Sequence, residues 1–256
     1  MDLQRQANLY RKELFEKFVE VGQGHPGSTF SMLEIVTTLY RGGYVGLEDK
    51  VLISKGHATV ALYPILKDLN ILPKEDWDNW GKGKPSCLRV FGNVSIPGID
   101  VTSGSLGHGV GVGAGMAIAD KNNHVYVVIS EGELYEGSTW EALLFVAHRQ
   151  LLNMTIIIDV NNLIILGKTD DCLKLNSIRQ KLSGFDFDLY TVDGHNTNSI
   201  SAALDAQSQQ PKVIIANTVK GKGFSLMENK PEWHYMQPIT PEQVEQCRKE
   251  INDATA

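Results

Sequence analysis

Cysteine is scarce in this chain of 256 residues, where Cys87, Cys172 and Cys247 stand far apart. No close pair suits zinc and the density is too low for a disulfide scaffold, so a reducing cytoplasm is the expected compartment. Basic runs are also missing and the formal net charge is -6, which argues against nucleic acid or an anionic membrane as a partner. No apolar stretch is long enough to cross a bilayer, and charges interrupt the N-terminus, so neither a spanning helix nor a signal peptide is expected. What is there is globular in composition and long enough to bury a sizeable core.

The most informative stretch runs from Val125 to Leu166. Val125 to Ile129 is β-branched and apolar on nearly every residue, as in a strand buried on both faces of a parallel sheet. It ends in Ser130, Glu131 and Gly132. A helix is expected from Thr139 to Gln150, with Leu143, Leu144, Val146 and Ala147 as its apolar face. Met154 to Ile158 then reads as a second buried strand, stopping at Asp159, Asn161 and Asn162. Two parallel strands joined by a crossover helix release their C-terminal ends on the same sheet edge, where doubly wound folds bind ligands. Glu131 and Asn161 should therefore converge. A carboxylate beside a carboxamide suits a hard cation such as magnesium, which prefers oxygen ligands and leaves places for phosphate.

Other segments arrange themselves around this unit. Leu3, Ala7, Tyr10, Leu14, Phe18 and Val21 describe one amphipathic helix ending at Gly22. Gly24, Pro26 and Gly27 then break the chain and present His25 before a helix expected near Ser31. Val51 to Ile53 reads as a short strand, followed by Ser54, Lys55, Gly56 and His57. Residues 73–100 are rich in proline, glycine and tryptophan and poor in regular pattern, as functional loops often are. In the segment after Ser103, Gly109, Gly111 and Ala114 fit the dinucleotide pattern G-x-G-x-x-A, but no strand leads into it and no acidic residue follows at the required distance. Glycines here more simply give a helix a smooth face for close packing, against a propensity cost of roughly 1 kcal/mol each. Leu189 to Val192 and Val213 to Ala216 are two further strands; the first ends in Asp193, Gly194, His195 and Asn196, the second runs into TVKGKG with Lys220 and Lys222. Thr240 and Gln243 form a capping box around Pro241 for a last polar helix to about Ile251.

Ser130-Glu131-Gly132 with Asn161 resembles the signature of the thiamine-diphosphate family, Gly-Asp-Gly after one strand and Asn after the next. GHPGS around His25, SKGH ending at His57, SGSLGHG from Ser103 to Gly109, and Glu232-Trp233-His234 narrow the resemblance to transketolases, in particular to the N-terminal half-chain of split ones. The resemblance implies an α/β fold, a doubly wound, mainly parallel sheet flanked by helices, in a single diphosphate-binding domain over residues 1–256. It makes Glu131, Asn161 and the backbone carbonyl of Leu163 the ligands of Mg2+ (or Ca2+ or Mn2+). It sets Gly132, Glu133, Gly104, Ser105, Leu106, His57 and His234 against thiamine diphosphate. His25, His57 and His234 would orient the sugar and handle its hydroxyl protons. Asn93 would stand where the family has a donor-contacting histidine. Two departures are Ser130 for glycine and Glu131 for aspartate, and His108 replaces a glutamine.

The implied reaction is two-carbon ketol transfer from a ketose to an aldose, phosphorylated or not, with the cofactor carrying the carbanion chemistry. The family's cofactor needs a glutamate from a pyrimidine-binding domain, which is expected on a separate chain unless this one is a fragment of a longer protein. The expected partner is therefore a pyrimidine-binding transketolase subunit, giving a heterotetramer that is active only when assembled. Acyl transfer or oxidative decarboxylation by another two-subunit enzyme, and a non-catalytic regulatory paralogue, remain open at this point.

Overall fold

A computed structural model describes residues 2–165 and 167–255, so Leu166, the end of the stretch singled out above, lies outside the described residues. The first helix, α1 (Leu3–Val21), starts on Asp2, whose side chain accepts from the Arg5 N–H, and stops at Gly22. Gly22 takes φ +67 and donates its N–H to the Phe18 carbonyl, the left-handed stop that glycine makes without penalty. The next helix begins earlier than the pattern suggests. It starts at Pro26, which has its φ already set and no N–H to satisfy at the first helical position, and Met32, at φ -105 and ψ 6, divides it into α2 (Pro26–Ser31) and α3 (Leu33–Arg41). His25 is thereby the residue on which α2 opens.

The strands follow the expected segments with a residue or two added at the ends: β1 (Lys50–Ile53), then α4 (Tyr63–Asp68), α5 (Lys74–Asn79), α6 (Gly109–Ala119), β2 (Val125–Ser130), α7 (Gly137–Arg149) and β3 (Met154–Val160). A small antiparallel pair, β4 (Leu163–Ile164) and β5 (Gly167–Lys168), leads through α8 (Thr169–Cys172) and α9 (Ile178–Leu182) to β6 (Asp188–Asp193). Then come α10 (Thr197–Asp205), β7 (Lys212–Asn217) and α11 (Pro241–Thr255). The main sheet has the order β1-β2-β3-β7-β6, and every pairing in it is parallel.

Both faces of that sheet are covered, which is why its strands read as apolar runs rather than alternating ones. Tyr126, Val128, Ile157 and Ile214 point into a core with α1, α3, α10 and α11. Val127, Ile129, Ile156, Ile158 and Val213 point into the opposite core with α6, α7 and α9. The glycines of α6 split the same way. A Cβ at Gly113 would stand 2.5 Å from Val127 Cγ2, and one at Gly109 would stand 2.3 Å from Ser54 Oγ, so these two let the helix approach the sheet. Gly115 would meet nothing within 4 Å.

The consequence for function is positional. Strands β1, β2, β3 and β7 all end on one edge, and Ser130 pairs in register with Asp159. The segments after those ends, together with the loop before α6, form one cleft. Among the described residues no helix is long and apolar enough to cross a membrane.

Candidate active site

Glycines bring the cleft loops together. The Gly92 N–H donates to the Gly56 carbonyl at 3.2 Å, and the Ser103 N–H to the Gly92 carbonyl at 3.3 Å. A Cβ at Gly56 would stand 2.4 Å from the Ser103 backbone. Glu133 completes the arrangement. Its carboxylate accepts from Ser54 Oγ, from the Gly107 N–H at 3.0 Å and from the Ser130 N–H at 3.0 Å. It thus ties the ends of β1 and β2 to the loop before α6. Fully buried, Glu133 spends its carboxylate on these bonds and does not line the cavity.

The cavity has a volume of about 360 Å³, and His25, His57, His234, Gly104, Leu106, Glu131, Gly132, Asn161 and Leu163 all line it. Three histidines from three separate motifs form a triangle, with ring centroids 5.2 Å apart for His25–His57 and 5.3 Å for His25–His234 and His57–His234. Burial, followed by the nearby Lys220 charge, pushes His25 and His234 down to about 4. Burial and then Lys55 lower His57 well below the usual value. All three rings are therefore neutral near pH 7, each with one donor and one acceptor nitrogen. His57 Nε2 lies 3.1 Å from Ser28 Oγ, whereas His25 Nδ1 is buried without a hydrogen-bond partner among the described residues.

At the other end of the cavity stands Glu131, 3 % exposed. Backbone N–H groups of Asn162 and Leu163 reach its carboxyl, yet Oε1 is buried and unpartnered among the described residues. Burial first, and then the Asp159 charge, raise this carboxyl to about 8. Asn161 donates from Nδ2 to Ser31 Oγ at 3.3 Å, and its Oδ1 accepts from the Leu163 N–H at 3.2 Å. No group of three or more His, Cys, Asp or Glu side chains among the described residues could hold a metal. The expected set of one carboxylate, one amide and one backbone carbonyl is of another kind. Glu131's orphaned oxygen fits it, because a buried carboxyl with a vacant lone pair is stabilised by a cation. A Cβ at Gly132 would meet only Ile164 Cγ2, at 3.4 Å, and Ser130 Oγ, at 3.6 Å. Nothing within the chain demands glycine there.

Two lysines complete the electrostatics. Lys55 pairs with Asp159, both buried, and Asp159 also accepts from Ser31 and Thr218. Lys220 is 1 % exposed, has no carboxylate at salt-bridge distance among the described residues, and lies 3.3 Å from His234 Nδ1 and 3.4 Å from the Ile164 carbonyl. Burial and the Lys55 charge bring it down to about 8.

Not every expected residue arrives. Asn93 does not line the cavity: its amide oxygen accepts from the Ser95 N–H at 2.9 Å and closes its own turn, leaving Phe91 on the wall, 5.3 Å from the His25 ring. Ser105 and His108 are exposed and outside the lining. Lys55, Ser28, Phe91, Tyr135, Glu136 and Tyr235 line the cavity without having been singled out for it. Lys55 sits inside the SKGH motif and Tyr235 directly after the third histidine, so adjacency to a motif was the available signal.

These features define an α/β domain with a buried, histidine-lined cleft at the carboxyl edge of a parallel sheet. Residues 4–253 match the family described as "Transketolase, thiamine diphosphate binding domain". The chain is 34% identical to one subunit of the apulose-4-phosphate transketolase of Phocaeicola vulgatus, over 98% of this chain and 94% of that one. It is also 34% identical to a 6-deoxy-6-sulfo-D-fructose transketolase subunit of a Clostridium species, over 92% and 91%. Human transketolase is 31% identical, but the chain spans only 41% of its length. The Campylobacter jejuni transketolase structure superposes with a TM-score of 0.84 at 24% identity, over 98% of this chain and 42% of that one. The chain belongs to the transketolase family, thiamine-diphosphate-dependent transferases, and corresponds to the diphosphate-binding component that the split enzymes carry as a separate polypeptide.

Proposed function

We propose that this chain is the diphosphate-binding subunit of a two-component transketolase, holding thiamine diphosphate through a divalent cation and transferring a two-carbon ketol unit only with a pyrimidine-binding partner, as a heterotetramer in a reducing cytoplasm. One observation carries the reading. Glu131, whose Oε1 is buried without a partner, and Lys220, buried without a carboxylate at salt-bridge distance, line the same cavity and, among the described residues, do not pair with each other. Each is costly to bury alone, and a magnesium-bound diphosphate would satisfy both.

Glu131, Asn161 and the Leu163 carbonyl would hold Mg2+, or Ca2+ or Mn2+ in its place, with Lys220 facing the diphosphate. When bound, thiamine diphosphate supplies the carbanion chemistry of ketol transfer. Leu106, Phe91, Ile164 and Ile165 give the cavity apolar lining. His25, His57 and His234 are neutral near pH 7, so their ring nitrogens not engaged by Ser28 or Lys220 would donate to or accept from sugar hydroxyls. That is what orienting a polyhydroxylated sugar and moving its protons requires. Tyr235 and Phe91 flank His25 at 4.9 and 5.3 Å and narrow the space beside it.

The test is calorimetric titration of thiamine diphosphate with Mg2+ into the chain assembled with its partner subunit. Saturable, magnesium-dependent binding is expected, and Glu131→Ala should abolish it. Binding that survives this substitution unchanged would remove Glu131 from the metal site. Turnover assayed across ketose phosphates and a 6-sulfo ketose then identifies the donor.

A further inference from the structure

Outside the cavity, one buried charged cluster has no part in the chemistry above. Glu34, on α3, is 1 % exposed and accepts from Arg11 Nη2 of α1 at 2.6 Å. Its other oxygen lies 3.1 Å from Nδ1 of His195, in the turn after β6. His195 Nε2 in turn accepts the Val219 N–H at 2.7 Å. A backbone N–H can only donate, so Nε2 is unprotonated and the ring proton sits on Nδ1, donated to the Glu34 carboxylate. Burial pushes Glu34 up, but Arg11 and His195 outweigh it and hold the carboxyl below its usual value. The acceptor for the Nδ1 proton is therefore in place.

Val219 immediately precedes Lys220. The backbone around it is gripped on both sides, by the Thr218 N–H on the Val160 carbonyl at 2.9 Å and the Gly221 N–H on the Gly27 carbonyl at 3.0 Å. Between these two anchors, His195 holds the amide next to the lysine. The turn that presents His195 is itself built for close approach. The Gly194 N–H donates to the Asn217 carbonyl at 2.8 Å, and a Cβ there would stand 2.4 Å from Thr218 Cγ2. Arg11 also packs against the far end of the same loop, where a Cβ at Gly223 would meet its Cδ at 2.3 Å.

We propose that Arg11, Glu34 and His195 form a positioning triad that sets the backbone at Val219 and so aims the Lys220 ammonium at the diphosphate. His195 acts through Lys220 and touches neither cofactor nor sugar. The inference rests on the reading that the cavity takes thiamine diphosphate.

Two substitutions separate the two hydrogen bonds of the ring. The His195→Gln amide reaches as far as Nε2 and restores an acceptor for Val219, whereas the His195→Asn amide reaches only as far as Nδ1 and restores the bond to Glu34 alone. In the assembled enzyme, His195→Asn should weaken thiamine diphosphate binding by up to roughly tenfold, the loss of about one neutral hydrogen bond, while His195→Gln stays near wild type. Adding His195→Asn to Lys220→Met should cost nothing further, because residues acting through one group are not additive. Amide hydrogen exchange should quicken over residues 218–223 in His195→Asn and stay unchanged in β3. Equal affinity of His195→Asn and wild type, additive losses in the double variant, or faster exchange throughout the sheet would each overturn the proposal. Failure of wild type to bind thiamine diphosphate would instead overturn the function on which it rests.

Discussion

Among single residues, Glu131 is the side chain whose environment says most. Burial and Asp159 raise its carboxyl to about 8, so near pH 7 the metal-free site carries a proton that a cation must displace. Binding of Mg2+ with thiamine diphosphate at pH 7 should release close to one proton. Calorimetry in two buffers of different ionisation enthalpy measures this directly. Apparent affinity should rise from pH 6 to pH 8 and then level off. Glu131→Gln has no proton to lose, and should release none at this position. An equal release from Glu131→Gln and wild type would assign the proton elsewhere. Glu133 shows the converse case, since it lies two residues away with an equally buried carboxylate, yet every bond it makes is internal. Two acids in one motif thus serve different ends, and the hydrogen-bond partners decide which.

Among the elements, α6 tests how glycine is used. Gly113 lies against Val127 and Met154, where a Cβ would come within 2.5 and 3.1 Å, and both neighbours belong to the central strands. Gly113→Ala should therefore destabilise the chain by about 1–3 kcal/mol through overpacking. Gly115 has nothing within 4 Å of an added Cβ, and Gly115→Ala should stabilise by roughly 0.5–1 kcal/mol through helix propensity. Chemical denaturation of the two variants under one set of conditions gives both signs. Destabilisation by both would mean that the outer face of α6 is also covered by packing. At the opposite end of the chain, the capping box closes as the sequence suggests: the Thr240 N–H donates to Gln243 Oε1 at 2.9 Å, and the Gln243 N–H to Thr240 Oγ1 at 3.3 Å.

For the molecule as a whole, the histidine triangle couples the site to stability. His25 and His234 are lowered from 6.5 to about 4. For a group whose folded value is depressed, the unfolded chain binds more protons across that interval. Its contribution is complete above pH 6.5 and is lost as the pH falls toward 4. Glu131 has the opposite sign: raised from 4.5 to about 8, it lowers the stability of the metal-free chain as the pH climbs through that window. Between pH 4 and pH 8 the metal-free chain should accordingly be most stable near pH 6.5, and its thermal midpoint should fall on acidification. His25→Gln and His234→Gln should each make the acid limb shallower. A slope identical to wild type in both would mean that the rings are hydrated and titrate normally.

The five strands of the main sheet, the first and last helices, α7 and the order of the motifs were legible in the sequence, whereas α4, α5, the β4–β5 pair and α8 to α10 were not. Uninterrupted β-branched runs require strands buried on both faces, a glycine after an amphipathic run ends a helix, and strands joined through helices lie parallel with their ends on one edge. From these local rules the convergence of Glu131 and Asn161 on one edge followed, whereas His234 was marked only by the family resemblance; His25 caps α2, and His57 and His234 lie in short 3-10 turns. What each side chain does on arrival was settled by tertiary packing. Glu133 and Glu131 look alike in the sequence, but one meets three donors from distant segments and the other keeps an orphaned oxygen. Asn93 turns away because its own loop takes up its amide, which depends on how Gly92 is held between Gly56 and Ser103. The role of His195 depends on four segments meeting: α1, α3, the turn after β6 and the loop after β7. Local pattern carries no record of contacts between residues 11, 34, 195 and 219, because burial and partner choice are set by packing across the sheet.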